Sequence, residues 1–345
     1  MHDRFLIAGL GSIGARHARI AREFMPGAMI AALRRQIPDE PAPGIDVCFT
    51  SIADALKFEP DAAVIAGPAP THLGMALELA RSGVHLLIEK PIADRADGVQ
   101  ELLEVAAKRR VTIMTGYNLR YLPSLMRFRE LVHAGVVGRI LSVRSEVGQY
   151  LPTWRPGVDY RKSVSASATL GGGVLLELSH EIDYLRWVFG EARWVSAMLS
   201  RQSELAIDVE DTAFLTIGFA RPEETGTIAA ALCMDFVRRD TSRVCTAIGD
   251  AGSLRWNAVT GTVERYVPAD AEWRVEFQHA GERDDTYRAE WSDFVACMRS
   301  GGRPRVTGED GLAVMHIIDA ARRSSKLRCV VPIGTGTAME SEVIA

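Results

Sequence analysis

The chain has 345 residues, 47% hydrophobic and 24% charged, a globular balance that excludes disorder, collagen-like repeats and coiled coil. At roughly 150 residues per domain, the length suggests about two domains. Its 40 basic and 44 acidic residues leave a net charge of −4, so no strong positive field draws in nucleic acid or an anionic membrane.

Residues 5–8 read as a short apolar strand, followed by Gly9-Leu10-Gly11-Ser12-Ile13-Gly14 and a helix to Phe24. Further strands are expected at 29–33, 47–49, 62–66, 85–89 and 111–114, with helices at 71–82 and 95–109. Short apolar strands separated by helices predict an α/β fold, a Rossmann-type doubly wound parallel sheet over residues 1–120.

The remainder, 121–345, reads as an α+β domain with an open, largely antiparallel sheet. A helix is expected at 123–133 and a strand at 140–147, then a loop over 151–173 and one helix over 174–189. Strands follow at 194–199, 213–219, 227–234, 244–248 and 263–267, and helices near 287–299 and 309–323 close the chain. The longest glycine-plus-apolar stretch, 169–178, is interrupted by Glu177 and falls short of the roughly 20 residues of a membrane span. The N-terminus enters its first strand without a signal-peptide pattern. The five cysteines are scattered and form no C-x-x-C pair. These features predict a cytoplasmic protein with no disulfide framework, metal centre, membrane partner or nucleic-acid partner.

The glycine loop carries the first chemistry. Gly9 permits a tight turn, Gly11 lets a pyrophosphate approach the backbone, and Gly14 lets helix and strand pack closely. The helix N-terminus, through Ser12 and Ile13, offers N–H groups to the phosphates. A dinucleotide, NAD(P), is the expected cofactor. About 20 residues on, where an acidic residue would bond the adenosine ribose, stand Arg34 and Arg35. An arginine attracts a 2′-phosphate, so NADP is expected ahead of NAD.

The fifth strand ends in Glu89-Lys90-Pro91. With the glycine loop, the segment Ala66-Gly67-Pro68-Ala69-Pro70-Thr71-His72 and the run from Gly172 to Asp183, the chain resembles the glucose–fructose oxidoreductase / inositol dehydrogenase / MocA family. The resemblance implies oxidoreduction of sugars, polyols or related derivatives, with Pro68, His72, Glu89 and Asn118 at the cofactor. Family members often carry Asp four residues before the histidine. Here Leu176 stands there, and Glu177, three residues before His180, is the available acid for substrate binding. Members also commonly carry an acid where Arg34 stands.

Lys90, at the carboxyl end of a parallel strand, is placed to exchange a proton with a substrate hydroxyl as hydride leaves carbon. On a continuous helix, His180 points away from the stripe Leu175, Leu178, Ile182, Leu185 and Phe189, flanked by Glu177, Asp183, Tyr184 and Trp187. His180 suits proton transfer near neutrality, and Asp183 one turn on could orient it. Lys90, His180 and Asp183 are thus the expected catalytic residues. Asn118 and the loop residues Trp154, Arg155, Tyr160 and Arg161 are expected at the substrate, the aromatics against a sugar ring and the arginines on an anionic group. The run 163–169 is expected to be mobile.

Two other classes fit the same features: a lyase or glycosidase that uses a retained nicotinamide transiently, and a non-catalytic dinucleotide or sugar sensor. The presence of Lys90 and His180 speaks against the sensor. The strand-rich second domain has few helices for two sheet faces, which predicts a homodimer or homotetramer through that sheet.

Overall fold

The computed structural model describes residues 3–37, 42–221 and 226–334. The chain forms two compact units interleaved in sequence. The first comprises the residues up to Leu122 together with Thr169–Gly171 and Glu282–Met315; the second takes Pro123–Ala168, Gly172–Gly281 and the residues from His316 on.

The first unit runs β1 (Arg4–Ala8), α1 (Ser12–Phe24), β2 (Met29–Leu33), β3 (Val47–Phe49), α2 (Ile52–Lys57), β4 (Ala62–Ile65), α3 (His72–Arg81), β5 (His85–Glu89), α4 (Val99–Arg109) and β6 (Ile113–Gly116). The sheet order is β3-β2-β1-β4-β5-β6, with every pair parallel. This is the expected doubly wound sheet. Its central strands β1 and β4 are apolar and buried (Phe5, Leu6, Ile7, Val64, Ile65), as strands covered on both faces require.

Three local readings change. Helix α2 was not expected, although Ser51 caps it by accepting from the Asp54 N–H at 3.1 Å. Helix α4 starts at Val99 rather than 95, because Gly98 sits in the left-handed region (φ +79°). Strand β6 lies two residues later than expected, after Arg110 turns the chain at φ +57°.

The second unit begins with α5 (Pro123–His133) and β7 (Ile140–Gly148) and continues through α6 (Val174–Glu177), α7 (His180–Phe189), β8 (Ala192–Ser200), β9 (Thr212–Ala220) and β10 (Thr227–Asp235). Strands β11 (Ser242–Gly249), β12 (Ser253–Asn257), β13 (Thr262–Val267) and β14 (Glu272–Gln278) follow. Next come α8 (Asp285–Ser300), α9 (Gly308–Leu327) and β15 (Val331–Pro332). The nine strands are ordered β14-β13-β12-β11-β7-β10-β9-β8-β15. Only the central pair β7–β10 is parallel, so the sheet is largely antiparallel, as expected.

Helix α8 and the first part of α9, to Met315, lie within the stretch 121–345 but belong to the first unit, where Trp291 meets Phe5 edge-on at 5.7 Å. In the second unit, Tyr184 of α7 stacks edge-on to Trp256 at 5.1 Å, and the Trp256 indole N–H donates to Ser124 Oγ of α5 at 3.0 Å. These contacts fasten α7 and α5 to one face of the nine-stranded sheet. On the other face Met198 and Phe214, paired across β8 and β9, are 48% and 45% exposed.

Candidate functional site

In the first unit the parallel sheet brings the carboxyl ends of β1, β4 and β5 side by side, the edge where such sheets bind ligands. The glycine loop follows β1. Gly9 has φ +96°, and a Cβ there would lie 2.9 Å from the Gly67 nitrogen. A Cβ at Gly14 would lie 1.8 Å from the Gly9 carbonyl oxygen. Gly11 differs, because a Cβ there would meet nothing within 4 Å. Packing therefore explains two of the three glycines, and the third leaves open space beside the backbone. Helix α1 starts at that point with Gly11 as N-cap, no side-chain cap and no acidic residue in its first turn. Ser12 is exposed and Ile13 half-buried. Uncapped N–H groups, the positive helix end and a bare backbone fit a dinucleotide pyrophosphate.

Beyond the loop, Arg34 follows β2, and its backbone N–H donates to the Phe49 carbonyl at 2.9 Å. Together with Ser12, Arg16 and Arg19 it lines a groove of about 660 Å³. Arg16 Nε is 3.1 Å from Asp284 Oδ1, and Arg19 pairs with Asp284 and Glu23. Among the described residues, the Arg34 side chain has no hydrogen bond or ion pair. Arg35 is exposed and does not line the groove.

Lys90 is held in place by its neighbours. Its backbone N–H donates to Glu89 Oε2 at 3.1 Å, and Glu89 Oε1 lies 2.8 Å from His17 Nε2. Both Glu89 carboxyl oxygens are therefore engaged within the protein. Burial pushes the Glu89 carboxyl up, but the His17 hydrogen bond and the Lys90 charge outweigh it and hold it below the usual glutamate value. His72, expected at the cofactor, has both ring nitrogens facing backbone carbonyls, and a neutral ring donates to one of them. Nδ1 lies 2.9 Å from the Pro91 carbonyl and Nε2 2.8 Å from that of Gly67. It ties the loop after β4 to the loop after β5, and burial lowers its pKa despite both carbonyls. Pro68 opens a short 3-10 turn (Ala69–Thr71), and its carbonyl accepts from the Thr71 hydroxyl at 2.7 Å. Asn118 is buried, with Nδ2 donating to Thr286 Oγ1 at 2.9 Å.

The second unit holds the other expected residues. Its helix over 174–189 is broken rather than continuous. The Ser179 and Glu181 N–H groups reach back only three residues, to Leu176 and Leu178, so α6 ends at Glu177 and His180 opens α7. The single-stripe geometry therefore fails across the break. Asp183 and Tyr184, expected to flank an open face, are fully buried, and the Tyr184 hydroxyl lies 2.5 Å from Ser145 Oγ. His180 and Glu177 are half-buried. The glycines before α6 are sterically required. A Cβ at Gly172 would lie 2.3 Å from the Val164 carbonyl oxygen, and one at Gly173 would lie 2.5 Å from Glu210 Oε1. That same Glu210 oxygen accepts the Leu175 N–H at 3.1 Å, so Glu210 caps α6.

The loop before α6 is partly buried. Ser165 and Ala166 of the run 163–169 are buried, and the Ser165 carbonyl accepts the Gly173 N–H at 3.2 Å. Trp154 donates its indole N–H to the Gln149 carbonyl at 3.0 Å and packs edge-on to Phe236. The Tyr160 hydroxyl accepts the Ala206 N–H at 3.3 Å. Arg161, expected to hold an anion, is taken by Asp159 through two bonds of 2.8 and 2.9 Å. Arg155 remains exposed, with no side-chain partner among the described residues.

Three residues of the first unit escaped the sequence reading: His17, Trp291 and Glu290, all with no exposed surface. The available signal for His17 was its place three residues after Gly14, on the buried side of α1 among Ala18 and Ala21. A polar residue on an apolar helix face needs a partner.

Comparison with known proteins bears on both units. A model described as the NAD-binding Rossmann fold of an oxidoreductase family, Gfo/Idh/MocA, matches residues 4–117, and one for that family's C-terminal alpha/beta domain matches 129–333. The chain is similar to the rhizopine catabolism protein MocA of Rhizobium meliloti, 26% identical over 331 residues, covering 92% of this chain and 93% of that one. It is also similar to inositol 2-dehydrogenase 2 of Saccharopolyspora erythraea, 27% identical over 345 residues, with 95% and 94% covered. Among solved structures, a levoglucosan dehydrogenase in complex with NADH shares the fold with a TM-score of 0.84 at 20% identity, covering 97% of this chain and 100% of that one. The WlbA dehydrogenase from Bordetella pertussis, in complex with NADH and UDP-GlcNAcA, does so with 0.81 at 21% identity, covering 97% and 99%.

Proposed function

The chain belongs to the Gfo/Idh/MocA oxidoreductase family and is an NAD(P)-dependent oxidoreductase acting on CH–OH groups, and from that premise we propose that its substrate is a sugar, a polyol, or an acidic or nucleotide-linked sugar derivative. The observation that carries this reading is Lys90 at the carboxyl end of β5, on the sheet edge that also presents the open Gly11 backbone. The nicotinamide, when bound, supplies a hydride acceptor or donor. The chain's own residues do the rest. Gly11, Ser12 and Ile13 present N–H groups to the pyrophosphate. Lys90 bonds the substrate hydroxyl oxygen and exchanges its proton. His180 provides the second proton-transfer group, with Asp183 one helical turn on, and Asn118, Glu177, Trp154, Arg155 and Tyr160 bind the sugar. Turnover of a panel of sugars and polyols, followed by nicotinamide absorbance, tests this reading.

The reading extends to cofactor choice. Arg34 stands where an acid would repel a 2′-phosphate, and its side chain is unengaged among the described residues. NADP(H) is therefore preferred by about tenfold to a hundredfold, the worth of one charge-assisted hydrogen bond. Arg34→Asp shifts preference towards NAD(H). Fluorescence titration showing tighter NADH than NADPH binding by the native chain would refute the preference.

It also extends to assembly and location. The open sheet face bearing Met198 and Phe214 pairs with a second copy, giving a dimer or a dimer of dimers in the cytoplasm. Light scattering at micromolar concentration is expected to give at least twice the 37.7 kDa chain mass, and a monomer would count against the pairing.

A further inference from the structure

Building on the role just given to Lys90, we propose that His17 is its positioning residue: hydrogen bonds from Trp291 to His17, from His17 to Glu89 and from the Lys90 N–H to Glu89 fix where the lysine leaves the sheet. The contacts are short and buried. The Trp291 indole N–H donates to His17 Nδ1 at 2.8 Å, His17 Nε2 meets Glu89 Oε1 at 2.8 Å, and Glu89 Oε2 takes the Lys90 N–H at 3.1 Å. His17 and Trp291 have no exposed surface, and Glu89 has 7%.

The direction of each bond follows from chemistry. An indole N–H only donates, so His17 Nδ1 must accept, and the proton of a neutral imidazole is confined to Nε2. That N–H points at the Glu89 carboxylate. Each member thus has one role and one orientation, and the chain of bonds joins three elements. His17 lies on α1, the helix whose first turn presents the cofactor loop. Glu89 ends β5, and Trp291 lies in the middle of α8. Any rotation of the Lys90 peptide must break the bond to Glu89, and any rotation of Glu89 must break the bond to His17.

The other ionisable groups around the network are Arg16 on α1, His72 on α3, Lys90 after β5, and Tyr287, Glu290 and Asp293 on α8. Tyr287 stands edge-on to the His17 ring at 5.8 Å, with the Arg16 guanidinium over its far side at 4.8 Å from its ring centre. Glu290 is fully buried, and neither carboxyl oxygen has a hydrogen-bond partner. Burial, with the nearby Glu89 and Asp293, pushes its pKa well up.

The test uses the full chain. Nitrogen-15 NMR of histidine-labelled protein should show His17 as the Nε2–H tautomer. In Trp291→Phe, Nδ1 loses its donor and the Nδ1–H tautomer should appear beside it. On the sugar or polyol that supports turnover, His17→Ala should lower kcat about 10- to 100-fold, the scale of a small misplacement of a reacting group. Its KM for NADPH should stay within about threefold. His17→Gln, whose amide can donate to Glu89 and accept from Trp291, should restore most of the loss. A native neutral His17 that carries its proton on Nδ1 overturns the proposal. So does an unchanged kcat in His17→Ala, with the functional reading intact. A locked tautomer in a chain that turns over no sugar or polyol overturns the functional reading itself, and the positioning role with it.

Discussion

Lys90→Ala is expected to lower kcat by about 10²–10⁴, the usual worth of a positioned proton-transfer group, and His180→Ala to do the same. Dinucleotide affinity should survive both changes. The cofactor features are the Gly9–Gly14 loop and the uncapped start of α1, and neither substitution touches them. The Lys90 change leaves the backbone N–H that Glu89 accepts, so the loop after β5 keeps its anchor. His72 still ties the Pro91 carbonyl to the Gly67 carbonyl. The loss should therefore appear in kcat, with KM for the nicotinamide nearly unchanged. Steady-state kinetics beside a direct NADPH titration separates the two. Near-full turnover in either variant would remove that residue from the proton-transfer step.

Gly14→Ala and Gly11→Ala are expected to part company. The methyl at position 14 would sit 1.8 Å from a backbone oxygen that has no rotamer to yield. The helix or the loop must move, and overpacking of this kind costs about 3 kcal/mol or more. Alanine's better helix propensity returns only about 1 kcal/mol. Thermal melting should show a fall of roughly 5–10 °C, and NADPH binding should weaken at least tenfold, because the N–H groups of α1 lose their placement. At position 11 a methyl meets nothing within 4 Å, so stability should change by less than about 0.5 kcal/mol. Dinucleotide affinity should still fall, because the methyl occupies the space the pyrophosphate needs. Gly11→Ala binding NADPH like the native chain would show that the loop does not cradle a phosphate.

These contrasts also show what was legible in the residues. The parallel sheet of the first unit could be read because its strands are short apolar runs, and three of them (β2, β3 and β5) fall on the expected residues. The glycine loop could be read because its three glycines follow an apolar strand at the dinucleotide spacing, and Gly9 and Gly14 answer close approaches that a Cβ would block. Of the strands in the nine-stranded sheet, β12, β14 and the two-residue β15 were missed. Leu254 and Trp256 alternate with polar residues in a strand of five, too short to stand out, and the edge strand β14 buries little. The break between α6 and α7 was not legible either. It lies in three-residue hydrogen bonds at Ser179 and Glu181, in a stretch whose apolar spacing suits one helix. His72 and Glu89 stood out for their motifs, yet their side chains serve the backbone and His17. Long-range partners such as Trp291 for His17, 274 residues apart, leave no periodic trace in the chain.

Net hydride transfer is the most direct expectation for this chain. The native chain, supplied with NADP+ or NAD+ and a panel of sugars, polyols, uronic acids and nucleotide sugars, is expected to reduce the cofactor stoichiometrically with oxidation of one CH–OH group of a panel member. The rate should collapse in Lys90→Ala. Conversion of a sugar with no net change in nicotinamide absorbance would contradict the account and point to a lyase or glycosidase that borrows the hydride and returns it.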